Sequence, residues 1–306
     1  MNKLYILAPA VLVASVAQAN ADLSLPDTVI TASRVEQPRT AASAAVTVFT
    51  RDDIERLQPI DVPALLQRVP GLHVSRTGGP GSLTGVFLRG TASAQTLVLV
   101  DGQRISGSSS GITSLELLNI DHIERIEVVR GGRSALYGSD AIGGVIQIFT
   151  RAATSDKALA PRASLAVGNH GQVRRSLGLS GTQGNTRFDL GASLDELDGF
   201  ERTSLPGSRE GTYRNKAANL NLSHRFNDGS SAGISALHQT GSTEYDYSLS
   251  PAGFAEDDFS LSSVSTHAQV RLTDRWTSRL ELGHSEDRRD TTDPFGGSSF
   301  NTYRDQ

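Results

Sequence analysis

A period of two restricts this chain more than any other feature. Phe188, Leu190, Ala192 and Leu194 fall on one face of an extended segment, with Asp189, Gly191, Ser193 and Asp195 on the other. Ala218, Leu220, Leu222 and Phe226 repeat the pattern against Asn219, Asn221, Ser223 and Arg225. Thr266, Ala268, Val270 and Leu272 do so again, and Trp276, Leu280 and Leu282 follow. Successive side chains of a strand point to opposite faces, so the spacing predicts strands with one apolar face. Short turns such as Asn227-Asp228-Gly229 and longer polar stretches (198–213, 248–260 and 287–300) separate them.

Two architectures accept such strands, a soluble β-sandwich and a membrane β-barrel. The N-terminus favours the second. Lys3, an apolar run from Leu4 to Val16, and the small-residue patterns Ala17-Gln18-Ala19 and Ala19-Asn20-Ala21 read as a secretory signal peptide over 1–21. The mature chain then starts at Asp22. No later stretch reaches the roughly 20 apolar residues of a spanning helix. A hydrophobic fraction of 37% with 30 glycines suits strands that turn half their side chains to water. There is no cysteine to staple an exported fold. A net charge of −4 offers no broad basic face for nucleic acid.

Residues 22–151 follow a different grammar, that of a small α+β domain. Thr50 caps a helix with acids in its first turn, and Asp61-Val62-Pro63 opens a second that Pro70-Gly71 stops. Short strands follow at Leu72–Ser75, Val86–Arg89 and Thr96–Val100. Asp101-Gly102 predicts a type I′ turn into Gln103–Ile105. Ile126–Arg130 and Ala141–Thr150 complete the set. At about 20 residues per strand and connection, the second half supplies about seven strands. A barrel around a folded domain needs a wide lumen, as in 22-stranded transporters, so the chain reads as an N-terminal fragment of a larger protein.

Six motifs in order resemble the TonB-dependent outer-membrane receptors, whose plug domain sits inside a barrel. Asp27, Thr28, Val29, Ile30, Thr31 and Ala32 resemble the TonB box. Leu65–Gly71, Phe87–Gly90, Leu97–Gly102, Ile123–Val128 and Arg133–Ile146 resemble successive plug segments. RSALYGSDAIGGVI, GTASAQTLVLVDG and DTVITASR are most similar to the cobalamin (vitamin B12) receptors. Gly132 departs from the family, which has proline there.

The resemblance implies an α+β plug followed by antiparallel transmembrane β-barrel strands, about seven of 22. It divides the chain into a signal peptide (1–21), a periplasmic segment with the TonB box (22–34), the plug (35–151), a linker (152–161) and the N-terminal part of the barrel (162–306). It implies uptake of a large scarce ligand through the outer membrane, powered by the TonB complex, with cobalamin as ligand and a siderophore or haem as the alternative. Outer-membrane lipid is the surrounding partner, and no cofactor is required. The β-branched box can join the sheet edge of a partner protein. The plug loops Thr77–Thr84 and Ser106–Ser114 are expected at the ligand, through Gly78, Gly79, Gly81, Ser82, Leu83, Ser106, Ser108, Ser109 and Ser110. Arg89, Arg130 and Arg133 are expected between plug and barrel, facing wall carboxylates or lumen water. Gly131 and Gly132 are expected to allow the sharp turn after strand Ile126–Arg130, and Gly143 and Gly144 to allow close packing.

Two readings stand for Asp195, Asp198, Asp246, Asp257 and Asp258: Ca²⁺ ligands in outer loops, or solvated loop acids. Enzyme signals are weak. The glycine spacing at Gly79–Gly85 precedes a strand, not the helix a dinucleotide site needs. The seven histidines are scattered, and no Gly-x-Ser-x-Gly elbow is set between a strand and a helix. An outer-membrane enzyme or adhesin is the remaining different-class reading.

Overall fold

A computed structural model describes residues 28–29, 31, 37–42, 44–105, 107, 111–153, 156–200, 210–227, 229–246, 254–273, 275–292 and 299–305. The proposed signal peptide lies outside these residues, as do Asp27, Ile30, Ala32, Ser106, Ser108, Ser109 and Ser110.

The N-terminal strands β1 (Thr28–Val29) and β2 (Gln37–Pro38) pair with each other. Next comes β3 (Ala45–Phe49), a strand that local sequence reading passed over. Helix α1 (Arg51–Leu57) starts at Thr50, which accepts from the Asp53 amide while the Asp53 carboxylate accepts in return from the Thr50 amide. Helix α2 (Val62–Leu66) is capped by Asp61, with Pro63 in its first turn where no amide partner is needed. Strands β4 (Leu72–Arg76) and β5 (Thr84–Leu88) form a hairpin. Then come β6 (Thr96–Val100), β7 (Gln103–Arg104), β8 (Ile123–Arg130), the short helix α3 (Ser134–Tyr137) and β9 (Gly144–Thr150).

These make a five-stranded sheet in the order β3-β8-β9-β6-β7, antiparallel except between β6 and β9. Asp101 and Gly102 both take positive φ, 46° and 84°, as the expected type I′ turn requires. One sheet face packs Val98, Val100, Ile126, Ile146 and Ile148 against both longer helices and the β4–β5 hairpin. At Gly144 (φ 155°) a Cβ would strike the carbonyl of Val129, so β8 and β9 approach there only because the side chain is absent. Gly143 is likewise crowded by Thr91. In the turn before them only Gly131 takes positive φ; Gly132 does not.

The second half forms one antiparallel sheet of eight strands in sequence order, not seven. They are β10 (Ala160–Val167), β11 (Val173–Gln183), β12 (Thr186–Phe200), β13 (Gly211–Arg225), β14 (Ser231–Asp246), β15 (Phe254–Thr273), β16 (Trp276–Thr292) and β17 (Ser299–Asp305). The extra strand arises because turns are tighter than assumed, with Gly184-Asn185 alone joining β11 to β12, and because β10 begins inside the stretch expected to be linker. Several strands also run into stretches expected to be loops. The sheet does not close: β10 and β17 are its two edges.

The alternation is inverted relative to a soluble protein. Asp189, Asn219, Gln239, Ser263 and Ser265 are buried toward the plug, while Leu177, Leu190, Leu222, Leu280 and Leu282 on the opposite face are exposed. A sandwich would bury the leucines, so the sandwich reading fails and the sheet is a barrel wall. Short turns (184–185, 226–230 and 274–275) gather at one end and longer connections at the other. In outer-membrane barrels these ends face the periplasm and the exterior respectively.

Candidate functional site

One plug segment, Ser114–His122, is bonded to four strands of the wall, β12, β13, β14 and β16. Its polar residues Glu116, Asn119 and His122 are spaced by three and all are buried. Two 3-10 turns, Leu115–Leu117 and Ile120–His122, place them. With about three residues per turn, residues three apart share a face. Glu116 takes an ion pair from Arg289 of β16 at 3.0 Å. Asn215 of β13 donates to the Leu117 carbonyl at 2.7 Å, and the Asn119 amide donates to Gln239 of β14 at 2.9 Å. Leu117 packs on Leu197, Tyr213 and Phe259.

His122 closes the seam. Its Nδ1 lies 2.6 Å from Asn219 Oδ1 and its Nε2 2.8 Å from Ser193 Oγ. Asn219 donates its amide to Asp189, which also receives Arg162, so its oxygen faces the ring and Nδ1 carries the proton. Burial pushes the His122 pKa down against the help of Asn219, so the ring is neutral. Burial raises the Glu116 carboxyl to about 7 even with Arg289 beside it. Sequence reading missed this seam; its only signal was three polar residues at a spacing of three within a leucine and isoleucine run.

The β4–β5 turn, expected at the ligand, stands at the outer end of the wall. Ser82 donates its amide to Gly79, and Thr77 to Leu83. Gly78 and Gly79 are partly open and Leu83 is exposed, 44% accessible. Gly81 and Ser82 are buried instead. A Cβ on Gly81 (φ 74°) would lie 2.6 Å from the Tyr213 ring, so this glycine fits the wall and does not face an outer ligand. The described end of the second loop also lies outward: Thr113 bonds Ile105, and Ser114 reaches Asp287 in the outer half of β16.

At the N-terminus, Val29 is fully buried against Val129, Ala44, Val46 and Val48. The Thr31 amide donates to Glu127 at 3.0 Å, and Tyr137 donates its hydroxyl to the Thr31 carbonyl at 3.0 Å. Thr28 and Val29 form a strand, and this segment lies on the plug sheet face away from the main core.

Arg89, Arg130 and Arg133 make no ion pair with the eight strands among the described residues. Arg130 donates to the Pro70 carbonyl at 3.1 Å. Contact with this part of the wall comes from Ser114–His122 and, beyond it, from Ile60, Gly81 and Gly102–Arg104.

The aspartates do not assemble for calcium. Asp195, Asp198, Asp257 and Asp258 belong to strands, not loops, and the side chain of Asp246 lies outside the described residues. Asp195 is taken by Arg174 at 2.9 Å. Asp257 receives Thr291 and Tyr245, and Asp258, the next residue along β15, points to the opposite face. Among the described residues no three acidic or histidine groups are placed to hold a metal ion.

Comparison with known proteins agrees with this architecture. Residues 38–145 match the TonB-dependent Receptor Plug Domain family. The chain is 34% identical over 261 residues to the vitamin B12 transporter BtuB of Vibrio cholerae serotype O1, covering 83% of this chain and 42% of that one. It thus spans about two fifths of the length of this curated relative. Among solved structures, the ferric yersiniabactin uptake receptor FyuA of Yersinia pestis superposes with a TM-score of 0.67 at 21% identity, covering 87% of this chain and 44% of that one. A mutant (G324V) of the ferric enterobactin receptor PfeA of Pseudomonas aeruginosa gives 0.65 at 20%, covering 90% and 46%. At that identity these two speak for the fold alone. A plug sheet, sewn to an unclosed wall that is polar inside and apolar outside, places the chain among the TonB-dependent receptors of the outer membrane.

Proposed function

We propose that this protein imports cobalamin across the outer membrane, with energy delivered by a TonB partner at the N-terminal strand. The observation that carries the ligand is the 34% identity to a vitamin B12 transporter across 83% of the chain. The outer position of the β4–β5 turn supports it. Gly78 and Gly79 there are partly open, and without side chains they let a bulky ligand with many polar edges approach the backbone closely. The outer membrane holds no nucleotide supply, so work must arrive mechanically. Thr28–Ala32 suits that role, because a β-branched extended segment can add to a partner's sheet edge through backbone hydrogen bonds. In its docked form Val29 burial is worth roughly 1.5–3 kcal/mol and each Thr31 hydrogen bond about 1 kcal/mol. A strand pairing of several bonds can compete with that.

The test is binding by cells that carry the complete gene product. Tight binding of cyanocobalamin, with none of ferric siderophores or haem, is expected. Binding of a siderophore or haem without cobalamin overturns the ligand assignment.

A further inference from the structure

Going down β14 toward the periplasmic end, the wall changes character between Leu237 and Ser235. Gln239 and Leu237 are buried against the plug and fill the gap. Ser235 is too short to do so. Its direct cross-strand partners are Asn221 and Ser265, and Ser265 pairs in turn with Gly283, so one whole rung of the wall is short. The opposite side is the plug sheet face that carries Gln147 and Phe149. Between them lies a cavity of about 890 Å³. This is at the upper end of the roughly 300–1,000 Å³ of small-molecule pockets.

The lining suits one kind of guest. Its acids (Asp101, Glu124, Glu281) are matched by its arginines (Arg51, Arg125, Arg279), so it has no net field to attract a polyanion. Several of these charges are already engaged. Arg125 stacks over Phe149 at 4.5 Å and pairs with Glu127, and Asp101 holds Thr150 through both carboxylate oxygens. Beside Glu124 and the apolar Leu99 and Ala152, the space is lined by hydroxyl, carboxamide and ring surface, a mixed lining that suits a neutral molecule carrying amide and hydroxyl groups.

One contact line separates this cavity from the outer turns. Alternate residues of β16 meet the plug in step: Glu281 at the Gly102 turn, Gly283 under Gln103, Ser285 bonded to the Arg104 carbonyl at 2.7 Å, and Asp287 at Ser114. Strand β7, which makes most of this line, is held to β6 by two residue pairs only, Leu99↔Arg104 and Val100↔Gln103. The seam to β12, β13 and β14 is buried and tied by bonds at Leu117, Asn119 and His122, so β7 on β16 is the weaker boundary.

We infer that ligand in transit passes along the β14–β16 wall, lodging in this amide- and hydroxyl-lined chamber after β7 lifts off β16. This rests on the import reading above. The chain contains no cysteine, so none of its own thiols competes with an introduced one, and any cysteine elsewhere in the complete receptor is replaced by serine first. In cells with the complete receptor, N221C and H267C are each modified after folding with a bulky thiosulfonate reagent. Surface binding of cyanocobalamin is expected to persist while uptake is lost, and reduction of the adduct restores it. A methyl adduct at the same sites leaves uptake intact. A second variant, Q103C with G283C, is expected to lose uptake when oxidised and regain it when reduced. Full uptake with the bulky adducts in place overturns the chamber, and full uptake with the disulfide closed overturns the path past β7. If the unmodified receptor accumulates no cyanocobalamin at all, the import reading itself falls, and the transit proposal with it.

Discussion

His122 of the plug sits 2.6 Å from Asn219 of β13, a neutral imidazole donating from Nδ1 to an amide oxygen whose own nitrogen is committed to Asp189. Replacing it by alanine takes the ring from the Asn219 oxygen and the Ser193 hydroxyl in a buried site. We expect H122A to weaken the plug by roughly 1–3 kcal/mol, the cost of stranding buried polar groups. A double-mutant cycle with N219A should return a coupling of about 0.5–3 kcal/mol. Urea unfolding of the plug, followed by a spin or fluorescence probe, reads both.

Glu116 makes the seam pH-sensitive. Burial raises its carboxyl to about 7 in the folded plug. An acid whose folded pKa lies above its unfolded value binds its proton more tightly when folded, so its contribution is present below the unfolded pKa near 4.5 and declines as pH rises to about 7. The size is on the order of 2–3 kcal/mol at most. The plug's urea midpoint should therefore fall between pH 5 and pH 8, and E116Q should flatten that part of the profile. An unchanged slope in E116Q would show that another group titrates.

Gly144 admits no side chain. The G144A variant must displace the Val129 carbonyl or break the β8–β9 pairing, and its φ of 155° is itself unfavourable for alanine. A loss of several kcal/mol is expected, above the ~1 kcal/mol typical of point changes. Amide exchange in β8 and β9 should rise more than in β4 and β5.

Val29 carries the mechanical reading. The V29P change removes a backbone donor and cannot extend a partner's sheet. Uptake should be abolished with surface binding of ligand retained. Uptake that persists in V29P sinks the role proposed for this strand.

Leu222 faces outward on β13, 41% exposed. In a bilayer that face is buried in lipid. L222R should cost up to about 2–4 kcal/mol in refolding into vesicles, depending on depth, whereas S223R on the lumen side should be far milder.

How much of this was legible beforehand can be traced residue by residue. Thr50, Asp61, Asp101-Gly102 and Gly144 each state a local requirement, a cap or a backbone conformation, and each does what its type demands. The period of two in β12–β16, read together with the expected export signal at the N-terminus, is enough to point to a barrel wall. Asp198, Asp257 and Asp258 read as loop acids because polar residues in a run suggest turns; they belong to strands that run on past the expected ends, Asp257 on the polar lumen side. Gly81 read as a flexible turn residue at the ligand, yet its missing side chain makes room for Tyr213. Ser114–His122 carried no local signal strong enough to mark it as the seam. The sequence by itself determined the elements, their order and which face of each wall strand meets lipid, because these depend on neighbours within a few residues. Only the tertiary structure decided which plug residue meets which rung of the wall. His122 and Asn219 are 97 positions apart, Glu116 and Arg289 173, and nothing local sets the register that brings either pair together.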